Sequence, residues 1–242
     1  MTLSLTTVNN ALQKLMVTVK KPHRELQRVN EQSYIEKRKL YAIWFNEMFK
    51  RGYENAFFVD ESPFTLHLSR QIARSRRGQR ANVIVPTIRG RNVSLIANIG
   101  IDGMKFCKVI DNNTVNGDIF AKYIRDLCSY LKNVTGVSNA CINLNNARIH
   151  RKAYLEAITA EYNLQCVFLS PYSYMMNPIE TPFSKIKNSV KEIMRNKTSG
   201  SLSDFILCGV NTVTSNDCAG FYHHMTKNLI NSAAGLPYIH CY

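Results

Sequence analysis

Apolar residues recur along the chain with two different spacings, and each spacing predicts one kind of secondary structure. Recurrence every three or four residues predicts amphipathic helices at residues 6–16, 30–50, 117–131, 151–162, 177–195, 202–213 and 216–231. Short apolar runs predict strands at residues 55–60, 81–86, 92–100, 104–111, 140–145 and 165–169. The early strands are expected to form an antiparallel meander, and the later alternation of helices and strands indicates a mixed sheet flanked by helices.

Polar residues end two of these strands and open the long helix that follows the last one. Asp60 ends the first strand, and Asn145 and Asn146 follow a later one. Glu180 lies in the first turn of the helix that we predict to open with Pro178. Because strand ends in a mixed sheet gather at one crevice, we expect these side chains to be neighbours. Two acids there could bind divalent cations that act on a phosphodiester, or they could serve only as a loop cap and a helix-dipole acid.

The charge of the chain points to a polyanionic partner. Lys and Arg total 31 against 17 Asp and Glu, which gives a formal net charge of +14, and nucleic acid is the default partner for such a surface. Two segments are especially basic: one contains Lys20, Lys21, His23, Arg24 and Arg28, and the other contains Arg70, Arg74, Arg76, Arg77, Arg80, Arg89 and Arg91 with no acid between them. Each segment either contacts phosphates or is a solvated surface.

Several classes of protein are disfavoured by the composition. No stretch of 18 or more apolar residues occurs and the N-terminus has no signal-peptide pattern, so we expect an intracellular protein without a membrane partner. The seven cysteines are odd in number and lie mostly in apolar runs, as is typical of reduced, buried thiols. The cysteines and histidines near the C-terminus do not have the spacing of zinc ligands.

Three segments resemble the catalytic blocks of mariner-like transposases and their bacterial insertion-sequence relatives, which form the DDE superfamily. They are FFVDESPF at 57–64, INLNNARIH at 142–150 and LSPYSYMMNPIE at 169–180. The third is the most specific, because the family reads roughly Leu-Pro-x-Tyr-Ser-Pro-x-Leu-Asn-Pro-Ile-Glu there. Residues 145 and 180 are separated by 34 residues (146–179), an interval characteristic of one large branch of the family.

The resemblance implies a ribonuclease-H-like fold, with a mixed five-stranded sheet flanked by helices. It also implies that Asp60, the residue at position 145 and Glu180 form the catalytic site and hold Mg²⁺ or Mn²⁺. In this family, water attack at a transposon end releases a 3′-hydroxyl, which then attacks target DNA. Lys185 and Lys187, which follow the third block, are expected to bind nucleic acid. Glu61 follows Asp60 on the strand and should therefore point to the opposite face of the sheet.

The sequence departs from the family pattern at its second block, which has Asn145 where the family has Asp. An amide carries no charge, so we expect the metal to bind weakly and the rate to fall. A loss of about 4 kcal/mol of transition-state stabilisation would correspond to a drop on the order of a thousandfold. Phe183 replaces the usual Trp, and Tyr174 and Met176 replace the usual Pro and Leu.

We expect residues 1–29 to be the remnant of a helix-turn-helix region with its basic linker, and residues 30–242 to be the catalytic domain. At least one DNA-reading module is then expected to be missing. Three origins fit this expectation: a decayed element copy, a host-recruited derivative or an engineered chain. The decayed copy is favoured, because the missing module and the replacement of Asp by Asn145 occur in the same chain. The sequence therefore predicts a catalytically impaired transposase-type domain. The alternatives are a transposase-derived DNA-binding protein without catalysis and a basic α/β domain with an unrelated partner.

Double-stranded DNA is the expected partner, with a second copy of the chain as a further candidate, and chromosomal DNA is the expected location, in the nucleus if the source is eukaryotic. The residues predicted to bind nucleic acid are Lys20, Lys21, Arg24, Arg74, Arg76, Arg77, Arg80, Lys185 and Lys187.

Overall fold

The computed structural model describes residues 4–15, 27–65, 79–80, 92–111, 114–137, 139–196 and 200–239. Its helices are α1 (Leu5–Lys14), α2 (Gln32–Met48), α3 (Gly117–Asn133), α4 (Lys152–Glu161), α5 (Glu180–Asn196), α6 (Leu202–Val210) and α7 (Ser215–Ala233). Its strands are β1 (Ala56–Phe64), β2 (Val93–Gly100), β3 (Gly103–Ile110), β4 (Cys141–Leu144) and β5 (Gln165–Phe168). Short 3-10 segments lie at Gln27–Asn30 and Tyr174–Met176. Within these ranges no helix is both long enough and apolar enough to cross a membrane.

The strands form one mixed sheet in the order β3-β2-β1-β4-β5. The pairs β1–β2 and β2–β3 are antiparallel, whereas β1–β4 and β4–β5 are parallel. The predicted meander and the predicted mixed sheet are therefore confirmed. The strand predicted at 81–86 lies outside the described residues.

Alternate residues of the central strand β1 pack on opposite faces of the sheet, as the pleat of a strand requires. Phe58 and Phe64 belong to the core that includes residues of α2, α5, α6 and α7. Phe57 and Val59 belong to the core formed with α3 and α4. Since both faces are covered, β1 and its neighbour β2 are buried along almost their whole length rather than at alternate residues.

Helix α2 is held to the sheet by its aromatic stripe. Phe45 has no exposed surface, and its ring lies within 6 Å of the rings of Tyr41, Phe49 and Phe58. These aromatic residues belong to the core on that face of the sheet. Tyr34, at the start of the helix, is only half-buried and packs against a loop instead.

Two boundaries differ from the sequence prediction, each for a local reason. Strand β1 continues past Asp60 to Phe64, because β2 pairs with it over that whole length. Helix α5 begins at Glu180, so Pro178 precedes the helix rather than opening it. Asn177 has an extended backbone, with φ −103° and ψ 100°, as the ring of a following proline favours.

Two buried asparagines in the sheet differ in how their side-chain amides are satisfied. Asn143 on β4 accepts a hydrogen bond from the hydroxyl of Tyr41 at 2.8 Å and donates to the carbonyl oxygen of Phe57 at 3.1 Å. Asn98 on β2 is fully buried, and neither polar atom of its side chain has a hydrogen-bond partner. Burying an unsatisfied amide is costly, whereas a satisfied one contributes to stability.

We therefore expect Asn98→Val to raise the free energy of unfolding by about 1–2 kcal/mol, because it removes an unpaired buried amide. The matched change Asn143→Val should lower it by about 1–3 kcal/mol, since it leaves the Tyr41 hydroxyl and a backbone carbonyl unpaired. Chemical denaturation of both variants and the parent chain checks the contrast. Equal destabilisation by the two changes would show that the side-chain amide of Asn98 is hydrogen-bonded in solution.

Candidate active site

The sheet places Asp60 and Asn145 side by side. The parallel pairing of β1 with β4 ends at Val59 and Leu144, so the next residue of each chain segment emerges at the same edge. The side-chain nitrogen of Asn145 donates a hydrogen bond of 2.8 Å to Oδ1 of Asp60. Asn145 also accepts, through its own Oδ1, a 3.0 Å hydrogen bond from the backbone N–H of Ala147. Its amide is thus held in one orientation at the strand end.

The Asp60 carboxylate is buried and fully hydrogen-bonded. It is 4% exposed, and Oδ1 also accepts from the backbone N–H of Glu61 at 2.9 Å. Its other oxygen, Oδ2, accepts from the side-chain nitrogen of Asn177 at 2.9 Å. The sequence did not predict this contact between Asn177 and Asp60, although Asn177 lies in the third block directly before Pro178. In the described structure, therefore, two amides and one backbone N–H surround the carboxylate.

Glu180 reaches the same place from the first residue of α5. It lines, together with Asn145 and Asn177, a cavity of about 480 Å³. The side chain is exposed, in contrast to Asp60. Partial loss of solvent raises the pKa of Glu180, while the positive charge of Lys187 acts in the opposite direction. Asp60, Asn145 and Glu180, the three residues named from the sequence, are therefore brought together.

Ionising Asp60 is unfavourable in this environment. Burial, followed by the negative charges of Glu61 and Glu180, raises the pKa of Asp60 from 3.8 to about 7. The backbone hydrogen bond from Glu61 and the charge of His150 lower the pKa, but they do not compensate. A buried carboxyl whose pKa is raised to near neutrality is typical of a cation or catalytic site.

Behind the site, a buried histidine joins β1 to the loop that carries Asn145. The imidazole of His150 lies 3.1 Å from Oε2 of Glu61 and 3.0 Å from the backbone oxygen of Asn145. Its ring stacks on Phe120 of α3 at a centroid distance of 4.0 Å. Burial alone would lower the pKa of His150, but the hydrogen bond and charge of Glu61 raise it. Glu61 thus faces away from Asp60, as expected, and His150 fixes the Asn145 backbone.

The predicted nucleic-acid-binding residues that the structure describes fall into different settings. Lys187 lies on α5, 5.6 Å from the ring centroid of Phe64, and loss of solvent lowers the pKa of Lys187. Lys185 donates a 2.5 Å hydrogen bond to Asp217 of α7, so its charge is matched within the chain. Arg80 is exposed. The remaining six, Lys20, Lys21, Arg24, Arg74, Arg76 and Arg77, lie outside the described residues.

The oxygen atoms at the site suit one hard divalent cation better than a pair. Across the described ranges, no group of three or more His, Cys, Asp and Glu residues could hold a metal ion. The carboxylates of Asp60 and Glu180 supply two negative charges, and Oδ1 of Asn177 is a buried oxygen without a hydrogen-bond partner. Such oxygen donors are those that Mg²⁺ and Mn²⁺ prefer, but two cations require more negative charge than two carboxylates supply.

The family model described as "DDE superfamily endonuclease" matches residues 55–203, which include Asp60, Asn145 and Glu180. The chain belongs to this family. No curated protein sequence matches the chain.

Solved structures of low sequence identity have a similar fold. The Mos1 mariner paired-end complex with Mn superposes with a TM-score of 0.78 at 15% identity, covering 98% of this chain and 72% of that one. The Mos1 transposase paired-end complex with the left transposon end gives 0.76 at 16% identity, covering 95% and 69%. The catalytic domain of Mos1 mariner transposase gives 0.64 at 12% identity, covering 91% and 100%. The DDE domain described here therefore has the predicted ribonuclease-H-like fold.

Proposed function

We propose that the chain is a DNA transposase-type domain whose metal-dependent cleavage and strand transfer are impaired by Asn145. One observation carries this proposal. The amide of Asn145 is hydrogen-bonded to the buried carboxylate of Asp60, in a cavity that Glu180 also lines. This arrangement supports a catalytic cation site with an uncharged group in one of its three places.

In this proposal Asp60 and Glu180 hold Mg²⁺ or Mn²⁺, and Asn177 offers its unpaired oxygen as a third donor. A bound cation would polarise a phosphodiester and activate a water molecule. The protein contributes rigidity, because Asp60 lies within β1 and the Asn145 backbone is fixed by His150. No covalent protein intermediate is needed, since the two carboxylates and the cation suffice for positioning and charge stabilisation.

The same contacts explain why cation binding should be weak. Both oxygens of Asp60 already accept hydrogen bonds from amides, so a cation must displace at least one of those donors. Asn145 brings no negative charge to offset the charge of the cation. Weak binding of a single ion is therefore part of the proposal.

The second candidate function is DNA binding without catalysis. It is favoured by the same hydrogen bond from Asn145, which satisfies Asp60 without a metal, and by the net charge of +14. Incubation of supercoiled plasmid in Mn²⁺, in Mg²⁺ and in EDTA distinguishes the two. Nicking that requires the cation supports the first function. Tight DNA binding without nicking, both in this chain and in its Asn145→Asp variant, supports the second.

DNA contact in this proposal involves Lys187, the exposed Arg80 and the basic segments around residues 20–28 and 70–91. Residues 30–242 act as the catalytic domain, and residues 1–29 contribute a DNA-reading segment with its basic linker. In the similar Mos1 structures the bound element is a transposon end. We propose double-stranded DNA as the partner of this chain as well, with a second copy of the chain as a further partner and chromosomal DNA as its location.

Lys187→Gln is expected to weaken binding to duplex DNA of any sequence and to reduce the slope of log affinity against log salt by about 1. Lys187 lies two turns after Glu180 on α5, so the two residues are on the same side of the helix and their charges interact. Fluorescence anisotropy over a salt titration provides the measurement.

Lys185→Gln is the matched control, because Lys185 already pairs with Asp217 at 2.5 Å. The control should leave the salt slope nearly unchanged. If Lys187→Gln and the parent chain have equal salt slopes, Lys187 does not contact DNA phosphates.

A further inference from the structure

The cavity beside Asn145 and Glu180 has an aromatic wall that the proposed cleavage does not use. Tyr34 from α2, together with Tyr172 and Tyr174 from the loop after β5, lines it. The rings of Tyr34 and Tyr172 meet edge to face, with centroids 4.8 Å apart and an interplanar angle of 80°. The volume of about 480 Å³ is in the range of small-molecule sites.

Tyr172 is held in the wall by a backbone conformation that tyrosine rarely adopts. Its φ is 57°, in the left-handed region, which is unfavourable for a bulky side chain. A hydrogen bond of 2.5 Å between the hydroxyls of Ser170 and Ser173 closes the loop around it. A second hydrogen bond holds the loop, because the side-chain nitrogen of Asn146 donates to the backbone oxygen of Leu169. Conformations of this kind persist where the surroundings enforce them, often at ligand sites.

A cation lies next to this wall. Arg28 lies in the 3-10 segment directly before α2, the helix that carries Tyr34, and the side chain of Tyr172 is the main cause of the raised pKa of Arg28. The guanidinium side chain is 64% exposed, with Glu31 at 4.0 Å as its salt-bridge partner. An exposed pair of this length is weak and leaves the guanidinium able to bind an anion. The wall therefore combines aromatic faces with a positive charge at the surface.

We propose that this cavity binds an unpaired nucleotide at the end of a DNA substrate, with the base against Tyr172 and Tyr34 and a phosphate at Arg28. The inference rests on the proposed action on DNA and adds the state of the substrate that the site takes. Tyrosine rings beside a basic group are the usual elements of sites for single-stranded nucleic acid. A base inside a duplex could not use them, because both of its faces are covered by its neighbours, and a terminal base pair leaves only one face open.

The position of the wall gives it a role in cleavage. Asn145, Glu180 and the tyrosines share one cavity, so a nucleotide held there would bring its phosphodiester next to the carboxylates. Stacking accepts any base, so the site should recognise the absence of pairing rather than a sequence.

Equilibrium binding in EDTA at fixed salt tests the inference with two DNAs, a blunt duplex and the same duplex with four unpaired 3′ nucleotides. The parent chain should bind the overhang DNA between about 5-fold and about 100-fold more tightly. Tyr172→Gly should abolish this preference without weakening blunt-duplex binding, and because glycine favours positive φ it offsets part of the packing lost with the ring. Tyr172→Phe keeps the ring and should keep most of the preference.

Tyr154→Ala, an exposed tyrosine on α4 outside the cavity, is the control and should retain the full preference. If the parent chain binds both DNAs equally, or if Tyr172→Gly still prefers the overhang, the proposal of an unpaired-nucleotide site is wrong. The proposed function on DNA is not affected by either result. If the parent chain binds neither DNA at low salt, the proposed function fails as well.

Discussion

Asn145→Asp is expected to raise the rate of Mn²⁺- or Mg²⁺-dependent nicking by about a thousandfold. The change restores a negative charge 2.8 Å from Oδ1 of Asp60, where the amide nitrogen now donates a hydrogen bond. A third carboxylate would let the site neutralise a second cation, which stabilises charge on both the attacking and the leaving oxygen. Nicking of supercoiled plasmid, followed over time in each metal, gives the rate ratio.

The same substitution should lower the stability of the metal-free protein. Without a cation, a carboxylate at 145 faces the carboxylate of Asp60 and removes one of its hydrogen-bond donors, so the melting temperature in EDTA should fall. Added Mn²⁺ should then raise the melting temperature of the variant more than that of the parent chain. This second measurement detects cation binding even if strand cleavage is limited by another step.

Asn146→Asp is the matched control, because it adds the same charge one residue further along. The side chain of Asn146 bonds to the backbone oxygen of Leu169 rather than to Asp60. It should therefore gain little activity. If Asn145→Asp binds the cation yet neither it nor the parent chain nicks DNA, the catalytic proposal is wrong.

Asp60→Asn is expected to stabilise the metal-free protein above pH 7, by up to about 4 kcal/mol. The pKa of Asp60 is raised from 3.8 to about 7 by burial and by the charges of Glu61 and Glu180. A raised pKa means that the carboxyl supports folding fully below about pH 4 and that this support is lost as pH rises through 7. Asparagine has no charge to lose, so the advantage of the variant should grow over that interval.

Urea denaturation in EDTA at pH 4 and pH 8 measures the difference. His150 is present in both proteins, so its own titration largely cancels in the comparison. Asp118→Asn is a suitable control, since Asp118 is an exposed carboxylate on α3 and should show no such pH-dependent gain. A variant that is equally stabilised or destabilised at both pH values would contradict the raised pKa of Asp60.

These two expectations describe one trade-off. The buried carboxylate that would serve a cation costs stability when the cation is absent, and Asn145 reduces that cost by donating to it. Replacing the second acid by an amide is therefore favourable for the fold and unfavourable for cation binding.

Much of the architecture followed from local pattern. The spacing of apolar residues predicted all seven helices and all five strands of the described ranges to within a few residues, because periodic burial is a local property of the chain. The third block identified the family, and Asn145 revealed the missing charge without any coordinates. The limits of β1 and α5 were not predicted, because β1 continues where β2 pairs with it and the extended backbone of Asn177 before Pro178 delays the start of α5.

The sequence by itself determined which residues carry charge, which faces are apolar, and that an amide at 145 stands between the acids at 60 and 180. The tertiary structure alone decided which of these residues meet. Asn145 and Asn177 contact Asp60 across 85 and 117 residues of chain, and Lys185, unlike Lys187, is paired with Asp217. Contacts over such separations depend on how the strands pair and the helices pack, so no local pattern encodes them.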